Sequence, residues 1–194
     1  MKRNGIFISV AFALMVSAGW AQGPVTTYDC SSITDIPTIE CQARVALYDS
    51  TNGVSWTNNA GWLTGNKPCD WSGVACDTGH VRSLWLVDNN LSGSISPDLG
   101  NLANLQELNL AVNQLSGNIP ESLGTLVKLK GVHLQNNQLS GPLPQSMINL
   151  QQLDFFLFDR ARLCMPNDSA FANWYAGILT RVTDAKTCRG SQNH

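Results

Sequence analysis

LQELNLAVNQLSGNIPESLGTLVK, residues 105–128, is the stretch from which the architecture is read; its apolar side chains stand at Leu105, Leu108, Leu110, Leu115, Ile119, Leu123 and Leu126. Leu108 and Leu110 alternate with the period of a strand, so both face one side. Asn113 ends that strand where the backbone must bend. Its amide is able both to donate to and to accept from main-chain groups that the bend leaves unpaired. Gly117 suits a backbone position that a Cβ would obstruct. Ile119 and Pro120 carry the chain along the far side, and Leu123 and Leu126 return it to the interior on a short helical turn.

The pattern recurs. Leu86, Leu110 and Leu134 are 24 residues apart, as are Asn89, Asn113 and Asn137, Leu91, Leu115 and Leu139, and Gly93, Gly117 and Gly141. A 24-residue period carrying L-x-L-x-x-N-x-L is the leucine-rich-repeat signature. The copies span 81–104, 105–128 and 129–152. A degenerate fourth, 153–163, keeps Phe156, Phe158 and Leu163 at core columns, with Ala161 where the ladder asparagine would stand. Ordering one coil costs more than its few leucines return, so stacked neighbours must supply the remaining burial. The expected fold is α/β: a short right-handed solenoid, a parallel sheet on its concave face, an asparagine ladder of Asn89, Asn113 and Asn137, and a cap at each end.

The flanks supply the caps. Residues 22–80 read as the N-terminal one. Cys41–Ser50 is a short helix offering Val45, Leu47 and Tyr48, and Asp49–Gly53 breaks it. Trp56, Trp62 and Trp71 follow, and Val74 starts an edge strand pairing with the strand around Leu84–Leu86. Residues 164–194 form the C-terminal cap and tail. A helix from Asp168 places Phe171, Trp174, Tyr175, Ile178 and Val182 on one stripe, with Asp168 or Ser169 as its N-cap.

The chain has 194 residues, with 12 basic against 14 acidic. A balance so near zero offers no basic surface for nucleic acid. Residues 1–21 read as a signal peptide: Lys2 and Arg3, an apolar run from Ile6 to Val16, then Gly19-Trp20-Ala21. Val16-Ser17-Ala18 is a second candidate cleavage motif. The apolar run is too short to span a bilayer, and no second one follows, so membrane insertion is not expected. Cleavage leaves 10 basic against 14 acidic residues, a balance of −4. The expected location is secreted, periplasmic or extracellular. There, six cysteines point to disulfides. Fifteen connectivities exist; nearest-neighbour bridging gives Cys30–Cys41, Cys69–Cys76 and Cys164–Cys188, each closing a short loop. The spacings are not those of paired C-x-x-C knuckles, and His80, His133 and His194 are scattered, so no metal is expected. Asn90-Leu91-Ser92 and Asn167-Asp168-Ser169 are glycosylation sequons.

In residues 41–163 the chain resembles the plant-type leucine-rich-repeat family, on the repeat quoted above and on the capping segment Ala46–Asp49, Trp56, Trp62 and Cys69–Cys76. The segment Leu163-Cys164-x-Pro166 with its helix is similar to the C-terminal cap of secreted bacterial proteins carrying these repeats. The resemblance implies a solenoid whose strand face binds proteins, peptides or glycans. In the first copy Ser96 departs from the pattern, with Pro97 one residue later.

The outward strand positions form the candidate face. Its central column is Trp85, Asn109, His133 and Leu157; the column before contains Ser83, Glu107, Gly131 and Phe155; the two after contain Val87, Ala111, Gln135 and Asp159, and Asp88, Val112, Asn136 and Arg160. Trp85, Phe155 and Leu157 read either as a binding patch or as packing against the two caps. Glu107 and His133 lie on neighbouring strands. Four or five strands at about 4.8 Å span roughly 20–25 Å, which favours a modest ligand or a weak complex. Metalloprotease, serine-hydrolase and phosphate-loop motifs are all missing, so no catalytic residue and no cofactor is assigned. The expectation is a secreted, non-catalytic recognition module; the alternative is a structural or adhesive component of an exported assembly, with self-association.

Overall fold

The computed structural model describes residues 28–159, 162–182 and 186–188. Residues 1–27, which hold the expected signal peptide, Arg160, Ala161, residues 183–185 and the tail from Arg189 lie outside them. A six-stranded sheet runs through the molecule. Its strands are, in spatial order, β1 (Val74–Asp77), β2 (His80–Trp85), β4 (Glu107–Asn109), β6 (Gly131–His133), β9 (Phe155–Leu157) and β11 (Thr180–Arg181). β1 pairs antiparallel with β2, and all later pairs are parallel. The interior register advances by a constant step: Leu84 opposes Leu108, Leu108 opposes Val132, and Val132 opposes Phe156. These four side chains are fully buried, as are Leu110, Leu115 and Leu126.

The far side of each coil runs on a single 3-10 turn: Pro97–Asn101, Glu121–Thr125 and Gln145–Asn149. Between ladder and turn lies a feature not read from the sequence. β3 (Ser92–Gly93), β5 (Gln114–Gly117) and β7 (Gln138–Leu139) form a second parallel sheet, and β8 (Gly141–Pro142) pairs with β10 (Leu163–Cys164). Glycines turn the chain here at φ +107, +77 and +92 for Gly93, Gly117 and Gly141. At Gly93 a side chain would also strike the Ser50 carbonyl. At Gly117 the space is open, with Ser94 Cβ 3.8 Å from a Cβ placed there. Obstruction is therefore not the reason for that glycine; the left-handed backbone is.

The ladder closes the bends. Asn113 Nδ2 donates to the carbonyls of Leu86 (2.8 Å), Leu110 (3.0 Å) and Ala111 (3.1 Å), while its Oδ1 accepts from Asn89 N–H and Leu91 N–H. Asn137 repeats the contacts to Leu110, Leu134 and Leu115. Each bond contributes about 0.5–1.5 kcal/mol net, and an orphaned buried backbone group costs about 1–3. Both ends of the ladder have rungs that the period does not reach. Asn58 N–H donates to Asn89 Oδ1 at 2.6 Å, and Asn137 N–H donates to Asp159 Oδ2 at 2.8 Å. Asp159 therefore ends the ladder, not the residue at Ala161.

The N-terminal cap is built on α1 (Thr38–Ser50) and a ring cluster of Tyr48, Trp56, Trp62 and Trp71 with neighbouring centroids 4.8–5.1 Å apart. Buried Arg44 lies 4.9 Å over Trp71, and burial lowers its pKa to about 10 against the opposing pull of Glu40, Asp35 and Tyr28. Buried Glu40 fastens the cap to the repeats. Its carboxylate accepts from Val81 N–H at 2.8 Å and meets His80 Nδ1 at 2.6 Å.

The C-terminal cap is built on α2 (Ser169–Ala176), with Asp168 Oδ1 accepting from Phe171 N–H at 2.8 Å as N-cap. The helix is shorter than its apolar stripe. It ends at Gly177, so Ile178 and Val182 reach the core from the segment that forms β11. The molecule contains disulfides Cys30–Cys41, Cys69–Cys76 and Cys164–Cys188, and no free cysteine among the described residues.

Candidate functional site

The open face of the six-stranded sheet brings the singled-out residues together. Trp85, Asn109, His133 and Leu157 are successive register partners, as are Ser83, Glu107, Gly131 and Phe155. Thr180 of β11 extends the second column by one strand. The sheet is therefore wider than four or five strands.

Trp85 is 60% exposed and Phe155 44%. Packing against the caps does not account for either. Leu157 is half-buried, as are Glu107, Asn109, His133 and Gln135 between the two aromatics. Glu107 opposes Gly131 across the strands, and a Cβ on Gly131 would collide with its carboxylate. The missing side chain thus lets Glu107 lie flat over the neighbouring strand. His133 is aligned with Asn109 instead, whose Oδ1 accepts from Ala111 N–H at 3.1 Å. Gln135 Oε1 is buried without a hydrogen-bond partner.

The described residues of this face include the carboxylates Asp88, Glu107 and Asp159, the last held by Asn137 N–H; Arg160, at the end of the fourth column, lies outside the described residues. The face offers rings, amides and carboxylates. Among the described residues no group of His, Cys, Asp and Glu is arranged to hold a metal ion, and no helix is long and apolar enough to cross a membrane.

The fourth outward column has a backbone feature that the sequence does not announce. Asp88, Val112 and Asn136 all adopt left-handed backbone, at φ +50, +57 and +58. The signal is present in two of the three, since Asp and Asn tolerate this conformation; valine hides it.

The Leucine Rich Repeat family model matches three times, over residues 80–102, 104–126 and 128–150. Phytosulfokine receptor 2 of Arabidopsis thaliana is 42% identical over 53 residues, which are 25% of this chain and 5% of that protein. The chain spans 5 to 8% of the length of the curated relatives it matches, which are mostly receptor kinases. Among solved structures, the HAESA receptor-kinase ectodomain of Arabidopsis, in complex with an IDA peptide hormone, superposes with a TM-score of 0.56 at 29% identity. That match covers 71% of this chain and 22% of HAESA. A plant ice-binding protein gives 0.59 at 27% identity, covering 69% and 43%. With the 24-residue coils, the asparagine ladder and the disulfide-bearing caps, these likenesses show leucine-rich repeats of the plant type over residues 80–150.

Proposed function

We infer that the chain is a non-catalytic, exported recognition module that holds a protein, peptide or glycan against its strand face. The observation that carries this reading is the pair of exposed aromatics, Trp85 and Phe155, at opposite ends of one sheet face with half-buried polar side chains between them. Exposed rings of this size on regular strands serve as binding anchors, and none of the described residues covers them. A peptide is the first class to test, because the HAESA ectodomain was solved with one.

The test is capture of ligand from the native extracellular milieu by the purified chain. Trp85→Ala and His133→Ala are expected to weaken capture at least about tenfold, the equivalent of one buried anchor. The exposed Trp85 leaves stability within about 0.5 kcal/mol. Undiminished capture by both variants overturns the reading. Oligomers that grow with concentration in the absence of any ligand, measured by sedimentation, favour the assembly role instead.

A further inference from the structure

A hollow of about 400 Å³ opens beside the strand face, where the coils turn out of the sheet. Thr57, Asp88, Asn90, Val112, Gln114 and Asn136 line it, all exposed. Its size lies within the ~300–1,000 Å³ range of small-molecule sites. Val112 is the unusual member. A β-branched residue at φ +57 carries backbone strain. The coils on either side use Asp88 and Asn136 at the same column, which tolerate that backbone. Val112 is 42% exposed, so the strain is not offset by burial. Its isopropyl group stands instead as an apolar floor among polar groups.

Those polar groups are partly pre-set. Gln114 Nε2 donates to Asn90 Oδ1 at 2.6 Å, and Asn90 Nδ2 donates to the Ser55 carbonyl at 2.8 Å. Gln114 Oε1 accepts no hydrogen bond among the described residues. Among the described residues, the side chains of Asp88 and Asn136 have no hydrogen-bond partner. The set both donates and accepts, carries one negative charge, and holds no Lys or Arg. A lone carboxylate is poor provision for a divalent cation, and an anion finds no counter-charge. Vicinal hydroxyls, each donor and acceptor at once, match amides and a carboxylate, and the C–H face of a sugar ring matches the valine. We propose that this hollow is a saccharide subsite, for one unit of a neutral glycan. It is separate from the strand-face site and does not rest on it.

The test uses the mature chain made in a bacterial host, so that the Asn90 sequon is unmodified. The probes are glucose, cellotetraose, laminaritetraose, xylotetraose and mannotetraose, followed by side-chain amide NMR and calorimetry. At least one probe is expected to move the amide signals of Asn90, Gln114 and Asn136 saturably in the millimolar range. Gln114→Ala and Asp88→Asn, both compatible with the local backbone, each weaken that binding about tenfold. Val112→Asn raises Tm by a few degrees, through relief of strain, and weakens binding as well. A response to tetrasaccharides but not to glucose identifies a glycan chain as the source; an equal response identifies free sugar. Trp85→Ala leaves the shifts intact. The proposal fails if no probe moves these amides at about 20 mM, if Gln114→Ala and Asp88→Asn bind like the wild type, or if Trp85→Ala abolishes the response.

Discussion

The two ends of the solenoid close by different means. At the N-terminal end, β1 runs antiparallel to β2 and joins it through Thr78 and Gly79 alone, both at positive φ (+50 and +76). Two such residues are what a tight hairpin requires. At the C-terminal end, β11 adds in parallel to β9, and a parallel strand is reached only by a crossover, here α2. The N-terminal closure is thus local, with two bridges of separation 11 and 7 inside the cap. The C-terminal closure is an excursion spanned by one bridge of separation 24, with Cys188 N–H donating to Met165 O at 2.8 Å beside it. An antiparallel edge needs only a turn, whereas a parallel edge needs a tether.

The contrast is open to breaking. Leu110 is fully buried at mid-stack, between the caps. Leu110→Asp is expected to cost more than about 4 kcal/mol, since it buries an unpaired charge. If both caps depend on the shared core, near-ultraviolet signals from the tryptophan cluster and from Trp174 disappear together. Survival of the N-terminal signal alone would show that its aromatic cluster folds independently. Next in size, Cys164→Ser with Cys188→Ser should cost about 3 kcal/mol, against about 2 for Cys69→Ser with Cys76→Ser, because the longer loop is freed. Urea unfolding measures both, and hydrogen exchange should show β9 opening only in the first variant. Equal costs would remove the tether argument.

The smallest effect lies in alkaline solution. Burial raises the Tyr175 phenol to about 12, outweighing nearby Arg181, and its hydroxyl donates to the Val182 carbonyl at 2.6 Å. Its folded value exceeds the unfolded one of about 10, so its contribution is complete below pH 10 and is lost as pH rises toward 12. Tm of the wild type should therefore fall more steeply across that window than Tm of Tyr175→Phe. Parallel curves would refute the shift.

Repetition made the middle of the molecule readable. Leucines such as Leu108 and Leu110 and the ladder asparagines recur at a fixed step, and the parallel register follows from it. The face columns are legible for the same reason, through the alternation of Trp85 with Leu84 and Leu86. Legibility fails where the period is broken. Asn58 precedes Asn89 by 31 residues, so no repeat points to it as the first rung. Asp159 stands two residues before the column the period predicts, so no repeat points to it either. Thr180 and Arg181 form too short a strand to show any alternation, and Gly177 ends a helix whose apolar stripe continues beyond it. The hollow at Val112 was invisible because valine is among the last residues expected with left-handed backbone.

The constant register step has one more consequence. Ser83 against Glu107 and Glu107 against Gly131 are the same seam made twice. A tandem duplication of residues 105–128 would therefore repeat the same backbone register, with Glu107 facing its own copy where Gly131 now leaves it room. Each such copy would lengthen the face by about 4.8 Å while leaving both lids untouched. Reach, in this protein, can evolve by copying rather than by invention.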